Sequence, residues 1–215
     1  MLQLRHTDDS LIEVGIDEAG RGSLWGPLYA AAVIWPMREE EMSDEQKAVA
    51  LLIKDSKKLS HKRRIHAANL IKDFALSWGV GSVSAQEIDE IGITRANQLA
   101  FERALETLSV TPERLLIDGC LSIYQAPWSM IPQVVEPEAD GKYLTVAAAS
   151  ILAKVSHDDW VQEFCDLNEN VAETYDLLKC KGYGTQKHRD GILKYGKHSH
   201  HRNLFLRKLL GVDSK

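Results

Sequence analysis

Apolar positions along the chain fall into short dense runs and longer stretches with helical spacing. Residues 13–17 and 28–35 read as strands, and the glycine-rich turn between them, closed by Pro27, makes them an antiparallel pair. A third strand is predicted over 78–84, a buried one over 115–117, and a fifth over 131–135. Between them, Ser60 can cap a helix reaching about residue 77, whose apolar face is Ile65, Ala68, Leu70, Ile71, Phe74 and Ala75. Helical pieces follow over 86–90 and 94–108, and a long helix over 143–164. Residues 38–46 read as a polar loop or an exposed helix start, and 169–180 and 185–195 as short basic helices. Strands come early and then alternate with helices, which gives an α/β class with a mixed five-stranded sheet flanked by helices.

Composition narrows the picture. With 215 residues and 44% hydrophobic content, the chain can bury one core of ordinary size. A single domain over 1–215 is expected, with a basic helical segment from about 168 to 215 packed on it. Its longest apolar runs are far short of the ~20 residues of a membrane span, and its first residues lack a signal-peptide layout. Three cysteines without CxxC spacing are expected to be free thiols, small and buried, so a cytoplasmic, membrane-free protein is expected. The net charge of −5 hides an asymmetry. Residues 171–215 carry 10 Lys+Arg against 4 Asp+Glu, a net of +6, and residues 1–170 carry 16 against 27, a net of −11. This split suits a polyanion meeting the C-terminal part while carboxylates elsewhere hold cations.

The acids that matter end an apolar run: Gly15-Ile16-Asp17-Glu18-Ala19-Gly20-Arg21-Gly22. A strand would send Asp17 and Glu18 to opposite faces. They converge only if it stops, and Gly20 and Gly22, tolerant of positive φ, are expected to stop it. Asp118 ends the 115–117 strand in the same way. On the long helix Ser150, Lys154 and Asp158 form one polar stripe among apolar neighbours, and alanines 147–149 would let that helix approach the sheet. Asp159 lies about 100° around the helix and is the poorer candidate. Four carboxylates without histidine or cysteine select Mg²⁺ or Mn²⁺ over zinc and suit two-metal phosphoryl chemistry; without metal their repulsion should raise some pKa values. The glycines do not make a dinucleotide fingerprint, because the last spacing is three residues and the preceding acids would oppose a pyrophosphate; Gly182-Tyr183-Gly184-Thr185 matches no P-loop.

Several segments together resemble the type-2 ribonucleases H: Gly15 to Gly22, Asp55-Ser56-Lys57-Lys58-Leu59, Ile117-Asp118-Gly119, Asp140 with Lys142, Ala147 to Val155, Gly182-Tyr183-Gly184-Thr185 with His188, and His201-Arg202 with Phe205. The resemblance implies an RNase H-like fold and metal-dependent endonucleolytic cleavage of RNA paired with DNA, including a single ribonucleotide embedded in duplex DNA, leaving 3′-hydroxyl and 5′-phosphate ends. It assigns Asp17, Glu18, Asp118 and Asp158 to two Mg²⁺ or Mn²⁺ ions and to catalysis. It makes Gly20-Arg21-Gly22 the turn that senses the 2′-hydroxyl, Tyr183 the aromatic on the following deoxyribose, and Lys57 a phosphate contact. A monomer acting in replication and ribonucleotide excision repair is implied. Alternatives are the type-3 branch, which shares the turn, and a non-catalytic hybrid-binding module.

Four positions depart from the family pattern. Ser23 replaces a common proline, Trp25 a small residue, His157 an arginine and Ala139 a glycine. Trp25 could pack inward or meet the substrate. His157 would give any phosphate contact a pH dependence near neutrality. His188 and His201 could bind phosphate or cap a helix.

Overall fold

The computed structural model describes residues 2–36, 38–53 and 59–212. Its centre is a five-stranded sheet ordered β3-β2-β1-β4-β5, with β1 Glu13–Ala19, β2 Leu28–Ile34, β3 Ser77–Val83, β4 Arg114–Asp118 and β5 Gln133–Glu136. Strands β1, β2 and β3 pair antiparallel, and β4 runs parallel to both β1 and β5. The mixed α/β sheet expected from the apolar pattern is therefore present.

Helices α1 (Asp44–Ile53), α2 (His61–Phe74) and α4 (Leu144–Leu167) cover one face, where Ala31 and Val33 of β2 pack with the alanines at 147–149. The other face carries α3 (Ala85–Glu106), against which Val14, Ile16, Ala30 and Ala32 pack. The two expected pieces of α3 are joined across Gly92, whose φ of 78° breaks the helix without ending it. A capping box closes its start: the Ser84 hydroxyl accepts from the Glu87 N–H, and the Glu87 carboxylate accepts from the Ser84 N–H. Ser60 stands at the N-cap of α2, but its side chain makes no cap hydrogen bond.

Helices α5 (Glu169–Thr174), α6 (Leu177–Cys180), α7 (Gln186–Tyr195) and α8 (Asn203–Leu210) complete the chain. They share a separate apolar cluster in which Trp25 meets Val161 and Cys165 of α4, Tyr175, Leu177, Ile192 and Leu206. Cys165 and Cys180 are buried free thiols; Cys120, expected to be buried, is exposed. Among the described residues, no helix is long and apolar enough to cross a membrane.

Helix α4 crosses β1 with backbone against backbone at Gly15. A Cβ added at Gly15 would lie 2.3 Å from the Thr145 carbonyl carbon and 2.4 Å from the Val146 nitrogen, both backbone atoms that cannot swing aside. Gly15→Val should therefore push α4 off the sheet at a cost of at least ~1–3 kcal/mol. We expect a thermal midpoint lower by about 2–4 °C per kcal/mol; an unchanged midpoint would show that the crossing tolerates bulk.

Candidate active site

Strand β1 does not stop after its acids. It runs on to Ala19, so Asp17 and Glu18 keep their strand alternation and point to opposite faces of the sheet. Asp17 lies on the α4 side, where the Ser150 hydroxyl acts on it, and Glu18 on the α3 side, where the fully buried amide of Asn97 acts on it. They share one site because β4 is parallel to β1 with Ile16 opposite Ile117, which brings Asp118 to the same edge. Asp118 acts on both acids. One of its oxygens accepts the Ala139 N–H at 2.7 Å, from the 3₁₀ turn Ala139–Gly141 that leads into α4.

The turn after β1 is made by Gly20, at φ 80°, and Gly26, at φ 82°; Gly22, expected to adopt positive φ, does not. A Cβ on Gly22 would meet nothing within 4 Å among the described residues, which leaves this stretch of backbone open on that side. Gly20 is closed in: a Cβ there would lie 2.4 Å from the His157 ring. Arg21 reaches back to Glu18 at 3.6 Å.

Charge is distributed unevenly over the four acids. Burial, helped by the negative charges of Asp118 and Glu18, pushes the Asp17 carboxyl up to about 8. Burial also raises Glu18, against the pull of Arg21. Asp158 behaves differently. Burial raises it, but hydrogen bonds from His157 and Lys154 outweigh burial and hold it at about 2. The Lys154 ammonium sits 2.8 Å from its carboxylate and Arg64 of α2 lies 4.0 Å away. The polar stripe on α4 thus faces the site instead of water: Ser150 meets Asp17 and Lys154 meets Asp158, while Asp159 is exposed. Among the described residues no three or more His, Cys, Asp or Glu side chains are gathered tightly enough to cage an ion.

Tyr183 joins the site from the loop after α6. Its hydroxyl accepts the Gly20 N–H at 3.3 Å, and the Lys154 ammonium lies 5.4 Å from its ring centroid. Ser23 bridges to Tyr183 and Trp25 to His201 through backbone pairs. Trp25 is fully buried against Trp160 and Phe164, so it packs inward and does not meet a substrate. His157 is also fully buried, with Nδ1 3.2 Å from Asp158 and Nε2 without a partner among the described residues, and that burial removes it as a surface phosphate contact. His188 and His201 are buried and bonded to each other. Lys57 lies outside the described residues.

Sequence reasoning left Arg202 without a role. Its guanidinium is fully buried and forms no ion pair among the described residues, donating from Nε to the Gly26 carbonyl at 2.9 Å and from an Nη to the Arg21 carbonyl at 3.0 Å. It therefore straps both ends of the glycine turn. Only its neighbourhood with His201 and Phe205 marked it, because a buried arginine that bonds carbonyls has no periodic signature. Arg64 gave no signal for a similar reason: it reaches Asp158 from a helix distant in sequence.

Comparison with known proteins places this geometry. The family model described as Ribonuclease HII matches residues 14–208. The Ribonuclease HII of Bacteroides thetaiotaomicron is 45% identical over 208 residues, covering 97% of this chain and 95% of that protein. The crystal structure of ribonuclease H2 from Pyrococcus horikoshii superposes with a TM-score of 0.71 at 24% identity, covering 92% of this chain and 96% of that one. Bst-RNase HIII in complex with Mn²⁺ gives a TM-score of 0.62 at 20% identity, covering 94% of this chain and 70% of that one.

The raised Asp17 carries a stability consequence. Its folded pKa lies above the ~3.9 of an unfolded aspartate, so between those values the native state holds a proton that the unfolded chain has released. Stability of the metal-free protein should fall as pH rises from about 4 to 8. Asp17→Asn should flatten that fall and raise the thermal midpoint at pH 8, by about 2–4 °C for each kcal/mol relieved. Thermal scans in chelator across pH check this; a variant less stable than the parent at pH 8 would contradict it.

Proposed function

The chain belongs to the ribonuclease HII family and is an endoribonuclease of the ribonuclease H type, and on that premise we propose that it cuts the RNA strand of RNA/DNA hybrids and single ribonucleotides embedded in duplex DNA, using Asp17, Glu18, Asp118 and Asp158 as ligands of two Mg²⁺ or Mn²⁺ ions. The observation that carries this reading is the edge at which Asp17, two residues before the end of β1, and Asp118, the last residue of β4, lie on neighbouring parallel strands, beside a glycine turn whose N–H is bonded to the Tyr183 hydroxyl.

The donor set fits a hard divalent cation. It is all oxygen, Asp17 has no cation paired with it among the described residues and is pushed towards protonation, and Asp158 is already ionised with Lys154 occupying it. When bound, such ions supply an activated water and stabilisation for the leaving oxygen. The rest falls to side chains and backbone of this chain. Asp17, Glu18 and Asp118 would hold the ions together with Asp158 once Lys154 releases it. Lys154 would then be free to meet a phosphate while remaining beside the Tyr183 ring. The open backbone at Gly22 would approach the sugar, where the 2′-hydroxyl distinguishes RNA from DNA. Tyr183 would rest on the deoxyribose that follows, and Lys57 and the basic C-terminal part would contact phosphates without reading sequence. The products would carry 3′-hydroxyl and 5′-phosphate ends. The chain would act as one catalytic domain, a monomer in the cytoplasm, with residues from about 168 onward packed on it through the Trp25 cluster.

Duplex DNA with one embedded ribonucleotide and a continuous hybrid, each offered in Mg²⁺ and in Mn²⁺, test this reading; no incision of either would end it. Asp118→Asn should lower kcat by several orders of magnitude while hybrid affinity stays within a few-fold, because one ligand of the reacting centre is lost and the phosphate contacts remain. Wild-type turnover in that variant would remove Asp118 from the site. Tyr183→Ala should harm the embedded substrate more than the hybrid, and equal losses on both would contradict its placement.

A further inference from the structure

Two histidines stand outside the site yet face it through one bond. His188, in the first turn of α7, follows the Thr185 cap, and its Nδ1 lies 3.0 Å from the Tyr183 carbonyl. Its Nε2 lies 3.0 Å from Nε2 of His201, whose Nδ1 lies 2.8 Å from the backbone nitrogen of His198. The two ends of this chain fix its direction. A carbonyl can only accept, so His188 Nδ1 carries a proton; a backbone N–H can only donate, so His201 Nδ1 is bare. A neutral His201 then carries its proton on Nε2 and donates it to the bare Nε2 of His188. Each ring has one tautomer compatible with all three bonds, and a proton added to either ring breaks one of them.

The surroundings favour the neutral pair. Burial lowers both pKa values, that of His201 to about 3. Tyr175 packs its ring 4.8 Å from His201 and 6.0 Å from His188, and the Cys180 thiol lies 3.6 Å from His188 Nδ1. Asp176 acts on His188 in the opposite sense, and His198 and His200 add to the lowering at His201. The next residue, Arg202, straps the Arg21 and Gly26 carbonyls, so consecutive residues reach the tyrosine loop and the glycine turn.

We propose that the neutral His188–His201 pair is a positioning unit that, with Arg202, sets the spacing between Tyr183 and the Gly20–Gly22 turn and thereby the preference for a ribonucleotide followed by a deoxyribonucleotide. This rests on the reading that the turn and Tyr183 meet the two sugars. Thr185 N–H also bonds the Tyr183 carbonyl, so losing His188 loosens the loop without freeing it.

The test is the ratio of kcat/KM on the embedded ribonucleotide to kcat/KM on the continuous hybrid. His188→Leu should lower that ratio about tenfold, equivalent to ~1.4 kcal/mol, a size within reach of one hydrogen bond. His188→Asn, whose amide can donate from the place of Nδ1, should keep the ratio within about threefold, ~0.7 kcal/mol. An unchanged ratio in His188→Leu, or equal loss in both variants, overturns the proposal. If the wild-type protein itself shows no such preference, the underlying reading of Tyr183 and the turn has failed instead. Imidazole ¹⁵N spectra of the unaltered protein supply a second readout that needs no variant. They should show His188 protonated on Nδ1 and His201 on Nε2 at pH 8, with neither ring titrating near 6.5; the opposite tautomers, or a titration near 6.5 at either ring, overturn it.

Discussion

Two carboxylates placed side by side at the edge of a sheet, one of them buried, govern this molecule. Asp17 and Asp118 are neighbours because β1 and β4 are parallel and in register, and Asp17 is inside because α4 crosses β1 at the one residue, Gly15, that lets backbone meet backbone. Such an arrangement is unfavourable in the isolated protein, as the raised Asp17 shows. A fold keeps an unfavourable charge pair where function requires it, and in the proposed reading a divalent cation would turn that repulsion into binding. Asp158 supplies the contrasting half, already ionised because Lys154 and His157 hold it so.

Around that edge the C-terminal part does more than carry positive charge. It buries Trp25, bridges Ser23 to Tyr183, and sends Arg202 under the glycine turn. The acids are therefore set by the sheet and α4, and the glycine turn by a second layer packed on α4. Trp25, which could have crowded a substrate, is the residue that joins the two layers.

Much of this was legible in the sequence. Strand and helix periods were enough to place β1, β2, β3, β4 and α4, and the run that ends at Asp118 pointed to an edge shared with Asp17. What escaped has identifiable causes. Helix α1 begins in an acid-rich stretch that reads equally as a polar loop or an exposed helix start, and α8 is too short for its period to stand out. The expectation that Gly22 turns the chain failed because Gly20 and Gly26 carry the positive φ of the turn and the strand runs on past both acids. The pairing of Lys154 with Asp158 was visible only as a stripe whose facing a sequence cannot decide. Bonds such as Arg202 to Arg21 and His188 to His201 have no local pattern at all; the first exists because the fold returns a residue 181 positions on to the first turn, and the second because two segments 13 residues apart fold against each other.

The central claim is that the Asp17–Asp118 edge is a cation site held in a destabilised state. Calorimetric titration of the wild-type protein and of Asp17→Asn with Mn²⁺, without nucleic acid, tests it most directly. The account predicts saturable binding with proton release near pH 7 in the wild-type protein, because the raised Asp17 must lose its proton to become a ligand, and weaker binding without that release in the variant. Equal affinity and equal proton release in both proteins would contradict it.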